Sequence, residues 1–197
     1  MTRKPVESQL LTSDSGNTCE IFPLPTDEAF LKELLTYIFE TYWREIVFGP
    51  MIQGGAFEFQ CPNAPTKIKL FDGYLTVNFG NPGTHFHICI GENKGSPKKP
   101  TPGELQRHRK TSQAEFFRNL DGSGAPVAWG GRFFNGKGEQ QMSIFFPSPF
   151  LTDEQQIAEK PDWSRLAMWK DLSWRYLCRE PDPKDRQRPR FALYPVE

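Results

Sequence analysis

Hydrophobic positions in the first third of the chain repeat with the period of an α-helix. They recur at intervals of three or four residues, at Phe30, Leu31, Leu34, Leu35, Ile38, Tyr42 and Ile46. This spacing places them on one face of a helix. Thr26 can cap the helix, and Gly49-Pro50 stops it. The pattern predicts a core-facing helix over residues 27–48.

A different pattern follows, in which short runs rich in β-branched and aromatic residues are separated by turn residues. Asp72-Gly73 and Asn135-Gly136 are typical of tight hairpins. The predicted strands cover residues 56–61, 67–71, 74–79, 85–90, 127–134 and 140–146. The first four are expected to form an antiparallel meander, and the last two a hairpin.

Three more segments carry helical signals. Thr101 and Glu104 have the spacing of a capping box, which predicts a helix reaching Leu120. Thr152 can open a short helix, and aromatic residues near helical spacing predict another over 163–177. Because strands and helices do not alternate, we predict an α+β fold: one domain with a mostly antiparallel β-sheet covered by three to four helices.

The two ends of the chain differ in composition from its middle. Residues 1–18 are polar and predict a flexible N-terminal arm, whereas residues 179–197 are rich in proline and charge and predict an extended tail. With no internal repeat or long Gly/Ser linker between them, residues 19–178 are expected to form the single domain.

Composition narrows the range of partners. The 24 basic residues balance the 24 acidic ones, so no global field favours nucleic acid or an anionic membrane surface. The sequence has neither the apolar run of a signal peptide nor that of a membrane span. The four cysteines form no C-x-x-C pair, so neither a zinc ribbon nor a dithiol motif is present. These features predict a cytoplasmic protein with reduced thiols.

The charges are nevertheless unevenly distributed. Residues 1–58 hold nine acids and four bases, whereas residues 92–119 hold seven bases and three acids. Two solvated faces explain this pattern most simply. The alternative is a protein partner bound through the acidic first helix or the basic segment 94–118, in which case association should weaken steeply with salt.

The candidate chemistry lies where the chain places its three histidines, His85, His87 and His108. Alternation along the predicted strand puts His85, His87 and Cys89 on one face. His108, on the following helix, could approach that face. Imidazole and thiolate are ligands for Fe, Zn, Ni or Cu, so the pattern favours a divalent transition metal. The structural alternative is a hydrogen-bonded histidine pair beside an ordinary buried cysteine.

The run from His85 through His87 to Glu92, preceded by Pro82-Gly83, resembles the first metal motif of the cupins. In that family two histidines and a glutamate bind Fe, Mn or Zn. The resemblance covers about a dozen residues, and it implies that Glu92 is a further ligand or an acid/base. The glycine spacings depart from the cupin pattern, and the later glycine-proline-histidine motif is missing.

These residues define the first functional hypothesis, a metal-dependent oxygenase or hydrolase acting on a small aromatic or carboxylated molecule. His85, His87 and Cys89 would bind the metal, and His108 or Glu92 would supply the acid or base. Arg132 follows two glycines in an aromatic strand, where it could orient an anionic group.

The alternative hypothesis is a non-catalytic module that binds a flat hydrophobic ligand or a protein partner. Aromatic side chains would form the pocket, with the histidines as axial ligands or structural hydrogen-bonding groups. The Trp163–Tyr176 aromatic cluster is either core or a stacking surface for such a ligand.

Overall fold

The computed structural model describes residues 4–13, 17–52, 54–80 and 83–189, and strands dominate them. The strands and α-helices, in chain order, are β1 (Gln9–Thr12), β2 (Thr18–Leu24), α1 (Glu28–Thr41), β3 (Val47–Gly49), β4 (Met51–Ile52), β5 (Gly55–Ala56), β6 (Phe59–Gln60), β7 (Lys67–Phe71), β8 (Tyr74–Asn78), β9 (His85–Cys89), β10 (Gly95–Ser96), β11 (Lys99–Pro100), α2 (Gly103–Arg109), β12 (Thr111–Leu120), β13 (Pro126–Asn135), β14 (Gln140–Phe145) and α3 (Ala167–Leu172). A 3-10 turn precedes α3 at Trp163–Leu166, a π-turn follows it at Ser173–Leu177, and another 3-10 turn lies at Pro183–Arg186.

One large sheet and three small ones organise these strands. The large sheet has seven strands in the order β1-β2-β12-β13-β14-β3-β6. A second sheet has the order β7-β8-β9, and both of its pairs are antiparallel. Asp72 and Gly73 form its first turn, since Phe71 pairs directly with Tyr74. The hairpins β4-β5 and β10-β11 complete the set.

The predicted α+β class is wrong. The described residues form a mostly antiparallel β structure with three α-helices, of which α2 has seven residues and α3 has six. Helices this short cannot cover a sheet of seven strands. The helix predicted after Thr152 is absent, because Leu151 forms a β-bridge with Ile157 and Gln155 adopts a positive φ of 60°.

The largest local difference from the predicted secondary structure lies in residues 104–120. The predicted helix ends at Arg109, and the rest of the segment is the long strand β12. The capping box does not form, because Pro102 occupies the N-cap without a side-chain hydrogen bond. β12 lies between β2 and β13, and both of its faces are largely buried. That burial removes the polar alternation by which a strand is recognised in sequence.

Helix α1 is shorter than predicted, because the chain leaves it at Tyr42 and enters β3 within the range assigned to the helix. Asp27, rather than Thr26, is its N-cap, and the carboxylate accepts a hydrogen bond from the Phe30 N–H at 2.9 Å. The predicted apolar face is buried at Leu31, Leu34, Leu35 and Ile38.

The chain divides into two compact units, each taking part of β12, β13 and β14. Unit 1 comprises residues 1–24, 115–131 and 145–197. Phe22 and Phe116 lie in its core near Trp169, with ring centroids 5.6 and 6.4 Å from the tryptophan ring. Of the predicted arm and tail, residues 1–3, 14–16 and 190–197 lie outside the described residues.

Unit 2 comprises residues 25–114 and 132–144. Its core joins helix α1 to the strands through three phenylalanines. Phe39 of α1 lies 4.9 Å from Phe48 of β3 and 5.0 Å from Phe86 of β9, between ring centroids, and Phe48 and Phe86 are also 4.9 Å apart. These rings fix the position of β9, which carries His85, His87 and Cys89.

Candidate functional site

A cavity of about 510 Å³ lies in unit 2 beside strand β9. Its apolar wall includes Phe48, Phe86, Ile88, Leu105 and Met142. Its polar lining consists of Tyr74, His87, Cys89, His108, Arg109, Asn135 and Gln141. We call it the histidine cavity. Its volume is in the range of small-molecule sites, and a mostly apolar wall with a few polar groups is their usual composition.

Strand β9 contributes residues to the histidine cavity from the edge of its sheet, since among the described residues β8 is its one neighbouring strand there. His87 lies opposite Thr76 of β8, and its Nδ1 is 2.7 Å from the Thr76 hydroxyl oxygen. This hydrogen bond occupies one ring nitrogen and orients the imidazole. Nε2 of His87 is therefore the nitrogen left for a ligand.

Arg109 brings a positive charge to the same cavity at the end of α2. Its Nη1 donates a hydrogen bond to Asn93 Oδ1 at 2.7 Å. Asn93 Nδ2 in turn donates to the Asp72 carboxylate at 2.7 Å, and that carboxylate also accepts from the backbone N–H of Lys94 at 2.7 Å. Asp72, in the turn before β8, thus positions the Arg109 guanidinium through the side-chain amide of Asn93.

His108, one residue earlier, is held by the β13–β14 hairpin. Its Nε2 lies 2.9 Å from Glu139 Oε2, and its backbone carbonyl accepts a hydrogen bond from the Gly136 N–H at 3.0 Å. Asn135 Nδ2 and the His108 ring both hydrogen-bond the Glu139 carboxylate and lower its pKa. The hairpin therefore anchors the end of α2 against the cavity.

Cys89 and Tyr74 face each other across β8 and β9. Burial raises the pKa of the Cys89 thiol and that of the Tyr74 phenol. The thiol donates to the Gly91 carbonyl at 3.5 Å. A protonated thiol is a poor nucleophile, so Cys89 contributes apolar surface and a weak hydrogen-bond donor to the cavity.

A second cavity of about 320 Å³ adjoins the first and also belongs to unit 2. Its wall contains Phe48, Phe57, Phe59, Phe79 and Phe86, and we call it the phenylalanine cavity. His85 and Thr84 line it as well. Phe48, Gly49, Pro50 and Phe86 line both cavities, which are therefore neighbours.

The structure brings together some of the residues predicted for a site and separates others. His87, Cys89 and His108 line the histidine cavity, whereas His85 lines the phenylalanine cavity. The Glu92 carboxylate is exposed and lies 3.5 Å from Lys94 Nζ. Arg132 lies over the Phe134 ring, 6.0 Å from its centroid, and lines neither cavity.

Within the described residues, no group of three or more His, Cys, Asp or Glu side chains is arranged to hold a metal ion. The π-stacking surface suggested by the Trp163–Tyr176 segment belongs to unit 1, where Trp169 and Tyr176 are buried. Pro82 of the cupin-like run lies outside the described residues.

Arg109, the cation of the site, is not among the residues that the sequence pattern singles out, whereas Arg132 is. The signal that could identify Arg109 is its position beside His108 at the end of a helix. The predicted helix hides this signal because it continues to Leu120, which would place Arg109 in mid-helix rather than at a helix end.

The fold and the site define a mostly β protein with a cavity lined by apolar side chains together with two histidines and an arginine. Residues 8–178 match the model of a family of unknown function, DUF7676, and the chain belongs to that family. No curated protein matches the chain. Among the helices of the described residues, none has the length and apolar character needed to cross a membrane.

Several solved structures share part of the backbone arrangement at 14% sequence identity. The match to a crystal structure of ChuX covers 79% of this chain and 74% of the ChuX chain, with a TM-score of 0.45. The match to a structure of the heme-binding protein ChuX covers 79% of this chain and 75% of that one, also with a TM-score of 0.45. The match to the structure of a protein from Erwinia carotovora covers 80% of this chain and 76% of that one, with a TM-score of 0.48. With TM-scores below 0.5, none of these structures assigns a ligand to this chain.

Proposed function

We propose that the protein is a binding module whose histidine cavity holds a flat, mostly apolar small molecule that carries a carboxylate. The observation that supports this proposal is the composition of the lining. Aromatic and aliphatic side chains line a space of about 510 Å³, and Arg109 adds a guanidinium to this lining. The described lining contains no aspartate or glutamate that would neutralise this charge.

The apolar walls would supply most of the affinity, because burial of apolar surface is favourable and has no directional requirement. Arg109 would orient the ligand by pairing with its carboxylate, an interaction stronger than a neutral hydrogen bond. The raised pKa of the Cys89 thiol argues for binding rather than nucleophilic chemistry at this wall.

Biphenyl-4-carboxylate is a suitable first probe, titrated by calorimetry against the full chain. Arg109→Gln is expected to weaken its binding about tenfold or more, since a charge-assisted pair is lost. Arg132→Gln is the matched control, and it should bind like the wild type because Arg132 lines neither cavity. Biphenyl-4-carboxamide should bind the wild type and Arg109→Gln equally. Failure of every probe to bind the folded wild type would refute the proposal.

Heme is the member of this ligand class that would also use His87. A porphyrin combines a flat ring with carboxylates and supplies four nitrogens to its iron, so one imidazole would suffice to hold the iron. The hydrogen bond between Thr76 and His87 Nδ1 leaves Nε2 for that role. The apolar wall, Arg109 and His87 are therefore suited to a heme group.

Absorbance titration with hemin tests this assignment, with metal-free protoporphyrin IX as the matched ligand. His87→Ala is expected to weaken hemin binding at least about tenfold and to shift the Soret band, but to leave protoporphyrin binding unchanged. His85→Ala is the matched imidazole variant: the His85 ring lies 4.9 Å from that of His87 but does not line the histidine cavity, so this variant should keep hemin binding. Equal loss of both ligands in His87→Ala would show that the imidazole acts only as part of the wall.

A further inference from the structure

We infer that the phenylalanine cavity is the second half of the same binding site and receives an apolar arm of the ligand. This inference rests on the proposed function and specifies its ligand further. The ligand would be elongated, with the carboxylate end at Arg109 and an alkyl or aryl extension among the phenylalanines.

The shared lining of the two neighbouring cavities supports the inference. The ring of Phe48 packs against that of Phe86, and both side chains line both cavities. Gly49 also lines both. A Cβ atom at Gly49 would lie 1.7 Å from the carbonyl oxygen of Phe57, so the glycine lets the backbone that carries Phe57 pack directly against β3 at the shared wall.

The composition of the second cavity supports an apolar occupant. Five phenylalanines surround it, and Phe57, at its edge, remains 61% exposed. Phe57 and Phe59 stack with their ring centroids 6.4 Å apart and lie nearly parallel, at 14°. Burial of an exposed phenylalanine against a hydrocarbon arm removes apolar surface from water, and this burial favours binding of the arm.

The spacing along β9 sets the length of the ligand. Cys89 in the first cavity and His85 in the second are four residues apart on this strand. Four residues of a β-strand span about 13 Å. An unsubstituted biphenyl covers less than this distance, whereas a biphenyl that carries a short alkyl chain covers it.

The test compares biphenyl-4-carboxylate with 4′-pentylbiphenyl-4-carboxylate on the full chain. Each buried methylene group adds about fourfold in affinity, so the pentyl compound should bind the wild type at least about fiftyfold tighter. Thr84→Trp places a large ring in the phenylalanine cavity and should remove most of this gain while leaving the parent compound unaffected. Ser96→Trp, at an exposed position in β10, is the matched control and should keep the gain.

Phe57→Ala provides a second variant at an exposed side chain, so folding is not at risk. It should reduce the pentyl gain about threefold without changing parent binding. If the parent binds through Arg109 but the pentyl compound binds no tighter, the inference is wrong and the proposed function stands. An undiminished gain in Thr84→Trp would also overturn the inference. If neither compound binds the folded wild type, the proposed function and the inference both fail.

Discussion

At the scale of single residues, burial separates the four cysteines into two pairs. Cys61 and Cys89 are buried, whereas Cys19 and Cys178 are partly exposed. Burial raises the pKa of Cys61 to about 12, and it raises the pKa of Cys89 as well. The thiolate is the reactive form, so both buried groups are protonated and inert at neutral pH.

We therefore expect iodoacetamide at pH 8 to alkylate Cys19 and Cys178 in the native protein, and to react at least about tenfold more slowly with Cys61 and Cys89. Peptide mass mapping after timed labelling measures each rate. The protein unfolded in guanidinium chloride is the control, in which all four cysteines should react. Fast native labelling of Cys89 would contradict its placement in the wall of the histidine cavity.

Residue types alone identified the region of the site but not its members. Strand alternation predicted that His87 and Cys89 share a face, and both line the histidine cavity. Alternation could not predict that His85, on the same face, lines the neighbouring cavity. Which cavity a side chain enters depends on the elements packed against the strand, here β3 and α2.

At the scale of elements, the turns follow their residue types closely. Asp72 and Gly73 both have positive φ, 46° and 77°, as a two-residue hairpin turn requires. The Asp72 carboxylate also collects hydrogen bonds from the 93–95 segment, which packs over the turn. A Cβ atom at Gly73 would lie 2.6 Å from the backbone carbon of Glu92. Backbone conformation and close packing therefore both require glycine here.

Gly73→Ala should lower the free energy of unfolding by about 2–4 kcal/mol, since it combines strain at positive φ with a backbone clash. Gly138→Ala is the matched control. Gly138 has a φ of 75°, but a Cβ atom there would meet no neighbouring group within 4 Å, so only the strain of about 1 kcal/mol applies. Urea denaturation followed by circular dichroism measures the free energy of unfolding of both variants. Equal losses of this free energy would contradict the predicted clash at Gly73.

Helices were predicted less well than turns, and β12 shows the reason. Ala114, Phe116, Phe117 and Leu120 are buried in a strand with neighbours on both sides. Their spacing of two, one and three residues also suits one face of a helix, so local periodicity does not separate the two structures. Pairing with β2 and β13 decides the outcome, and β2 is remote in sequence.

At the scale of the whole molecule, a buried ionic network ties distant parts of unit 1 together. Arg118 of β12 donates to Glu20 Oε2 at 2.8 Å, to Asp182 at 2.7 Å and to Asp185 at 2.6 Å. Trp129 and Trp169 donate to Asp185 through their indole nitrogens, at 3.1 and 2.9 Å. Burial opposes ionisation of Glu20 and Asp182, but the hydrogen bonds from Arg118 prevail and lower the pKa of each.

Removal of Asp185 should be costly, because it leaves the indole N–H groups of Trp129 and Trp169 without their acceptor and removes one of the three carboxylates that pair with the buried Arg118. We expect Asp185→Ala to lower the free energy of unfolding by about 3–5 kcal/mol. Asp153→Ala removes the ion pair with Arg165 at a side chain that is 87% exposed, and it should cost less than about 1 kcal/mol. Thermal and urea unfolding measure the difference, and a small loss in Asp185→Ala would contradict the role of the network.

Features that depend on neighbours along the chain follow from the amino-acid sequence alone. These are the apolar face of α1, the Asp72-Gly73 turn, the hairpin at Asn135 and the gathering of the three histidines within one strand–loop–helix segment. The tertiary structure alone decided that residues 111–120 form a strand, that Arg109 joins His87 and His108, and that Arg118 is buried among carboxylates. The physical reason is that each of these features rests on contacts between residues far apart in sequence. Their energies come from packing and burial, which local periodicity does not encode.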